Sequence, residues 1–115
     1  MFNVLFISIM VKEITVTELQ NWQESGKDFQ LIDVREQFET EIASIGGELI
    51  PLGQILQHSE KLEKSKDVVI YCRSGRRSAE AILQLQNKDG FTNLYNLKGG
   101  IIAWSQEIDP SIPIY

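Results

Sequence analysis

Residues 68–85 read VVIYCRSGRRSAEAILQL, and the order of residue types in this stretch decides the fold. Val68-Val69-Ile70-Tyr71 is a short β-branched and aromatic run with Lys66-Asp67 before it. Such a run suits a strand buried on both faces at the centre of a sheet. A helix is predicted over 78–88, with Ala79, Ile82, Leu83 and Leu85 on its core side and Gly90 as its stop. Between strand and helix lies the loop Cys72-Arg73-Ser74-Gly75-Arg76-Arg77. Strand, tight loop and helix in that order form half of a parallel βαβ unit.

The pattern continues outward on both sides. A strand is predicted over 12–14, followed by Thr15 as a helix N-cap with Glu18 completing a capping box. The helix 16–25 places Leu19 and Trp22 on one face and stops at Gly26. A strand over 29–34 turns acidic at Asp33, and 37–42 forms a short helix. Gly46-Gly47 is a turn, and the strand 48–50 is closed by Pro51. A helix over 52–58 and a solvated polar stretch over 59–67 lead into the central strand. Beyond Gly90 come a strand over 94–97, a turn at Lys98-Gly99-Gly100 and a helix over 101–106 that buries Trp104. The tail, Asp109-Pro110-Ser111-Ile112-Pro113, should lie extended over the surface. Strands alternating with helices define an α/β class, here as one domain over residues 12–115.

Composition narrows the function. The chain has 115 residues, 43% of them hydrophobic and 23% charged, as in ordinary folded domains. A net charge of −5 argues against nucleic acid as a partner, because phosphate binding needs clustered Lys and Arg. Arg73, Arg76 and Arg77 are a local exception. A single cysteine excludes an internal disulfide, and with a single histidine, His58, it offers too few soft ligands for structural zinc. A reducing, cytoplasmic setting follows as the default. Residues 1–11 form an apolar extension, an extra strand or a tail. Its opening run MFNVLFISIM is too short to cross a bilayer and lacks the basic start and small-residue cleavage site of a signal peptide. Neither membrane nor metal is expected.

Parallel α/β sheets bind ligands beyond the C-terminal ends of their strands, and Cys72 stands at that place. Main-chain N–H groups of residues 73–78 can curl into a nest around the sulfur, and the following helix dipole adds partial positive charge. Gly75 supplies the backbone freedom of a tight loop. With three arginines adding cationic field, these features stabilise a thiolate, a nucleophile inside an anion-binding cradle. The bland alternative is a buried, inert cysteine.

The chain resembles a single rhodanese-type domain over nearly all of residues 12–113. The resemblance rests on Asp33-Val34-Arg35-Glu36, on the loop Cys72-Arg73-Ser74-Gly75-Arg76-Arg77 with Ser78-Ala79, and on Leu97-Lys98-Gly99-Gly100 with Trp104. The family's usual His-Ile-x-Gly-Ala stretch is altered to Glu41-Ile42-Ala43-Ser44-Ile45-Gly46-Gly47. That version, with the 109–113 ending, looks more like rhodanese domains fused to adenylylating enzymes of molybdopterin and thiamine sulfur transfer. The resemblance implies a five-stranded parallel sheet flanked by helices on both faces. It also implies a persulfide on Cys72, filled from a small anionic donor such as thiosulfate and emptied by cyanide, a thiol or a sulfur-carrier protein. No cofactor is called for. Arg73 and Arg76 are expected to face solvent and attract the donor, and Arg77 to close the loop by pairing with Asp33. Ser74 and Ser78 offer hydroxyls at the rim, with Ser78 also capping the next helix. Asp33 and Arg35 read as strand-end scaffolding.

Three rivals share parts of the pattern. A cysteine phosphatase needs Cys, five residues, then Arg, whereas that position is Ser78 here and Arg77 comes one residue early. A shorter loop suits one sulfur atom better than a phosphoryl group. A binding module that has lost chemistry would not require Cys72 with a full Gly/Arg loop. Arsenate reduction would need a relay of thiols, for which glutathione would have to stand in. His58 reads as a solvated surface residue, and Trp22 and Trp104 as packing.

Overall fold

The computed structural model describes residues 11–115. Val68, Val69, Ile70 and Tyr71 are all shut away from solvent, since β4 (Val68–Tyr71) is the middle strand of a five-stranded sheet. The others are β1 (Glu13–Ile14), β2 (Gln30–Asp33), β3 (Glu48–Leu49) and β5 (Leu94–Leu97). Their order is β1-β5-β4-β2-β3, and every pairing is parallel. Among the described residues, four α-helices accompany them: α1 (Val16–Glu24), α2 (Gln37–Ile42), α3 (Arg76–Asp89) and α4 (Gly100–Glu107).

Successive strand residues point to opposite faces, so β4 feeds two cores. Val68 and Ile70 join Ile32, Ile55, Ala81, Ile82 and Leu85 beneath α3. Val69 and Tyr71 join Leu19, Leu97, Ile101 and Trp104 beneath α1 and α4. Helices therefore cover both faces of the parallel sheet, as expected. Each fully buried Leu, Ile or Val side chain contributes about 1.5–3 kcal/mol.

The capping box of α1 is present: Thr15 N–H donates to Glu18 Oε1 at 2.9 Å and Glu18 N–H to Thr15 Oγ1 at 3.1 Å. Trp22 packs as expected, edge-on to Tyr95 with ring centroids 5.6 Å apart, and Trp104 is buried. His58 is half-buried, its ring 3.9 Å from Glu60.

Three local readings differ. The helix expected over 52–58 is a short 3-10 turn, Leu52–Gln54, with a second at Ser59–Lys61. Within 52–58 only Ile55 is buried, too small an apolar stripe to hold an α-helix against the core. Helix α3 starts at Arg76, two residues earlier than predicted, because Gly75 takes the left-handed cap with φ 102°. The tail turns at Asp109, whose Oδ1 accepts from the N–H and hydroxyl of Ser111, and Ser105 Oγ donates to the Ile112 carbonyl at 2.5 Å. Tyr115 comes back over the domain and packs on the α1 and α4 side of the core. Of the apolar extension expected over 1–11, only Val11 lies within the described residues, and it is buried in the core.

Candidate functional site

Cys72 follows β4 directly, and its side chain is 1% exposed. The loop after it bends back so that Gly75 N–H donates to Sγ at 3.1 Å and Ser78 N–H reaches it at 3.4 Å. The Ser78 hydroxyl lies 3.3 Å from the same sulfur. Gly75 makes this geometry through its positive φ, a backbone state that L side chains resist. The sulfur sits against the first turn of α3, where N–H groups have no intrahelical partners.

Ser78 is not the helix cap expected from sequence. It is fully buried inside the first turn, and its Oγ donates to Asn96 Oδ1 at 2.5 Å. Asn96, on β5, sends its Nδ2 to the Gly75 carbonyl at 2.9 Å. One amide thus ties together both residues whose N–H groups reach the sulfur.

The Lys98-Gly99-Gly100 turn braces the loop from the other side. N–H groups of Ile101 and Ile102, in α4, donate to the carbonyls of Cys72 and Arg73 at 3.0 and 3.1 Å. Gly100 has φ 60°, and a Cβ there would lie 2.6 Å from the Cys72 carbonyl oxygen and collide with that of Arg73. Only glycine lets the two backbones meet.

The arginines divide unevenly. Arg77 does not pair with Asp33. It reaches Glu39 on α2 through two parallel bonds of 2.7 and 2.8 Å. Asp33 is already taken by Arg35, which donates from Nε at 3.0 Å and Nη2 at 2.8 Å. Arg35 is fully buried and also donates to the Ala43 carbonyl at 2.8 Å and to Tyr115 Oη at 2.9 Å. Asp33 and Arg35 thus form a buried ion pair at the C-terminal end of β2. Arg73, expected to face solvent, is half-buried and donates from Nε and Nη2 to the main-chain oxygen of Tyr115. Arg76 and Ser74 are exposed.

The electrostatics follow from these contacts. The Arg77 guanidinium holds the Glu39 carboxyl down to about 2, against the opposing cost of its burial. Glu39 in turn raises the affinity of Arg77 for its proton. Burial, with the Asp33 charge beside it, pushes the Tyr71 phenol up to about 12, and its hydroxyl donates to the Gly46 carbonyl at 2.7 Å. Sequence reasoning missed Glu39, Asn96 and Tyr115. The acid at Glu39 carried a signal, since it completes a capping arrangement with Glu36 N–H at 2.9 Å.

A buried sulfur held by main-chain donors at a helix start defines a parallel α/β domain with a cysteine in a loop whose N–H groups turn inward. The chain belongs to the rhodanese-like domain family, whose model matches residues 15–107. It is 40% identical over 105 residues to the Mycobacterium tuberculosis protein named "Probable adenylyltransferase/sulfurtransferase MoeZ", covering 89% of this chain but 26% of that protein. The chain therefore spans about a quarter of that relative's length. A sulfurtransferase of Allochromatium vinosum is 38% identical over 98 residues, covering 84% of this chain and 91% of the relative. Among solved structures, a rhodanese-like domain protein of Staphylococcus aureus superposes with a TM-score of 0.76 at 31% identity, covering 91% of this chain and 99% of the other. Sulfur transfer is the chemistry this family membership supports. Among the described residues, no helix is long and apolar enough to cross a membrane.

Proposed function

We propose that the protein is a sulfurtransferase that moves sulfane sulfur from thiosulfate, or another persulfide donor, to a nucleophilic acceptor through a persulfide on Cys72. The observation that carries this reading is the pair of N–H groups, from Gly75 and Ser78, converging on Cys72 Sγ. The Cys72 thiolate attacks the outer sulfur of thiosulfate, forming a new S–S bond. The donor's S–S bond breaks and sulfite departs with the electron pair. An acceptor then attacks the outer sulfur, and the Cys72 thiolate leaves with the pair, giving ping-pong kinetics. The loop N–H groups hold the negative charge at each stage.

Arg73 and Arg76 draw in the anionic donor, and Arg77 and Ser78 hold the loop in shape. Gly75 permits the curl, and Ser74 lines the mouth. A thiol, cyanide or a sulfur-carrier protein serves as acceptor. The likeness to adenylyltransferase/sulfurtransferases favours the carrier protein. A single free cysteine fits a reducing cytoplasm.

Intact-protein mass after anaerobic thiosulfate treatment tests the reading. One added sulfur atom, removed by dithiothreitol and absent in Cys72→Ser, is expected. An unchanged mass with the thiol shown to be free would overturn it.

A further inference from the structure

Tyr115 gathers three charged side chains from separate parts of the chain. Its hydroxyl accepts from Arg35 Nη1 at 2.9 Å and donates to Glu39 Oε1 at 3.0 Å. Its main-chain oxygen accepts from Nε and Nη2 of Arg73. Its ring lies under the same guanidinium, 5.2 Å from Cζ to centroid. Glu39 carries Arg77, so Tyr115 links the residue after Cys72 to the residue that ends the loop. The turn at Asp109 and the Ser105–Ile112 bond bring it there.

We infer that Tyr115 is a positioning residue for anion recognition at the Cys72 loop, holding Arg73 in one orientation before a sulfur donor arrives. This rests on the proposed donor site. An unheld arginine must give up rotamer freedom when it grips an anion, and that loss weakens binding. Here the ring and the main-chain oxygen have fixed the side chain already. The Nε–Nη2 edge faces the tail, and a donor would take up the guanidinium's remaining N–H groups. Arginine suits this role and lysine does not, since a single ammonium cannot stack on the ring and donate along an edge together.

The test is sulfate binding by the reduced full chain, read as slowed alkylation of Cys72, which needs no turnover. Tyr115→Ala should weaken sulfate about two- to tenfold, the scale of ordering one long side chain. Tyr115→Phe keeps the ring and the main-chain oxygen and should retain most of the affinity. Arg73→Lys should lose affinity as Tyr115→Ala does, although its charge is kept. In an Arg73→Ala background, Tyr115→Ala should cost nothing further. In thiosulfate turnover the loss should fall on KM rather than kcat. Unchanged affinity in Tyr115→Ala or Arg73→Lys overturns the inference, as do equal losses in the Phe and Ala variants or additive losses in the double variant. Should Tyr115→Ala not fold, Arg73→Lys and Tyr115→Phe still decide it. A protein that binds sulfate in this pattern yet takes up no sulfur supports the positioning and sinks the transfer reading, so the two fail separately.

Discussion

Arg77 and Glu39, 38 residues apart in sequence, are joined by two hydrogen bonds of 2.7 and 2.8 Å, and this pair locks α2 to the start of α3. Glu39 is 6% exposed and Arg77 34%, so the pair straddles the boundary between interior and solvent.

Removing the cation leaves a buried carboxylate short of a partner. Arg77→Ala should lower stability by about 1–3 kcal/mol, less than for a fully buried pair because water reaches the arginine side. Sulfur uptake should fall with it, since the loop loses an anchor. Arg77→Lys should recover part of the stability, as one ammonium replaces a two-pronged donor. Urea midpoints for the three proteins check the order.

The same pair sets an acid limit. Glu39 binds its proton far less readily when folded, at about 2 against an ordinary value of 4.5. A carboxyl lowered in this way stabilises the fold above its unfolded pKa, and the benefit fades as pH falls from about 4.5 toward 2. Up to about 3 kcal/mol is at stake across that window. Melts should decline steeply there, and Glu39→Gln should be less stable at pH 7 yet flatter in acid. Parallel declines in both proteins would remove Glu39 as the cause.

Asn96→Ala takes away the donor to the Gly75 carbonyl and the acceptor for the Ser78 hydroxyl. A loss of about 1–3 kcal/mol is expected from the buried groups left unpaired. Alkylation of Cys72 should also change rate, because both residues that donate to the sulfur lose a tether. Thermal melts and alkylation kinetics on one sample separate the two effects.

Gly100→Ala should be among the worst single-methyl changes in the domain. The added carbon meets the Cys72 and Arg73 carbonyl oxygens in a backbone state that already disfavours alanine. A destabilisation of about 1–3 kcal/mol with lost sulfur uptake is expected. Gly26→Ala serves as the control: it shares the positive φ but meets nothing within 4 Å, so it should cost less and spare activity.

Local pattern carried much of this structure. The strand at Val68–Tyr71, the strand at Leu94–Leu97, the helix at Gln37–Ile42 and the capping box at Thr15 fall where the sequence puts them. The cysteine's station, between a central strand and a helix, was legible for the same reason. Partner choice was not. Asp33 and Glu39 are both acids near the loop, and nothing local says that Arg35 has already filled the first. Ser78 matched a cap by type, but a positive-φ glycine three residues earlier took that place. Asn96 lies in a strand of apolar neighbours, where an amide has no signature until the loop is folded against it. Tyr115 was hidden behind two prolines that suggested a plain surface tail.

Most of what grips the Cys72 loop from outside arrives late in the chain. Asn96 holds Gly75 and Ser78, Ile101 and Ile102 hold the loop carbonyls, and Tyr115 holds Arg73. A ribosome that has just released residue 90 has therefore made a cysteine without its cage. The loop's outer braces come together only once residues 94–115 are in place. Truncation anywhere in that stretch strips contacts from the Cys72 loop while leaving its own strand and helix intact in sequence.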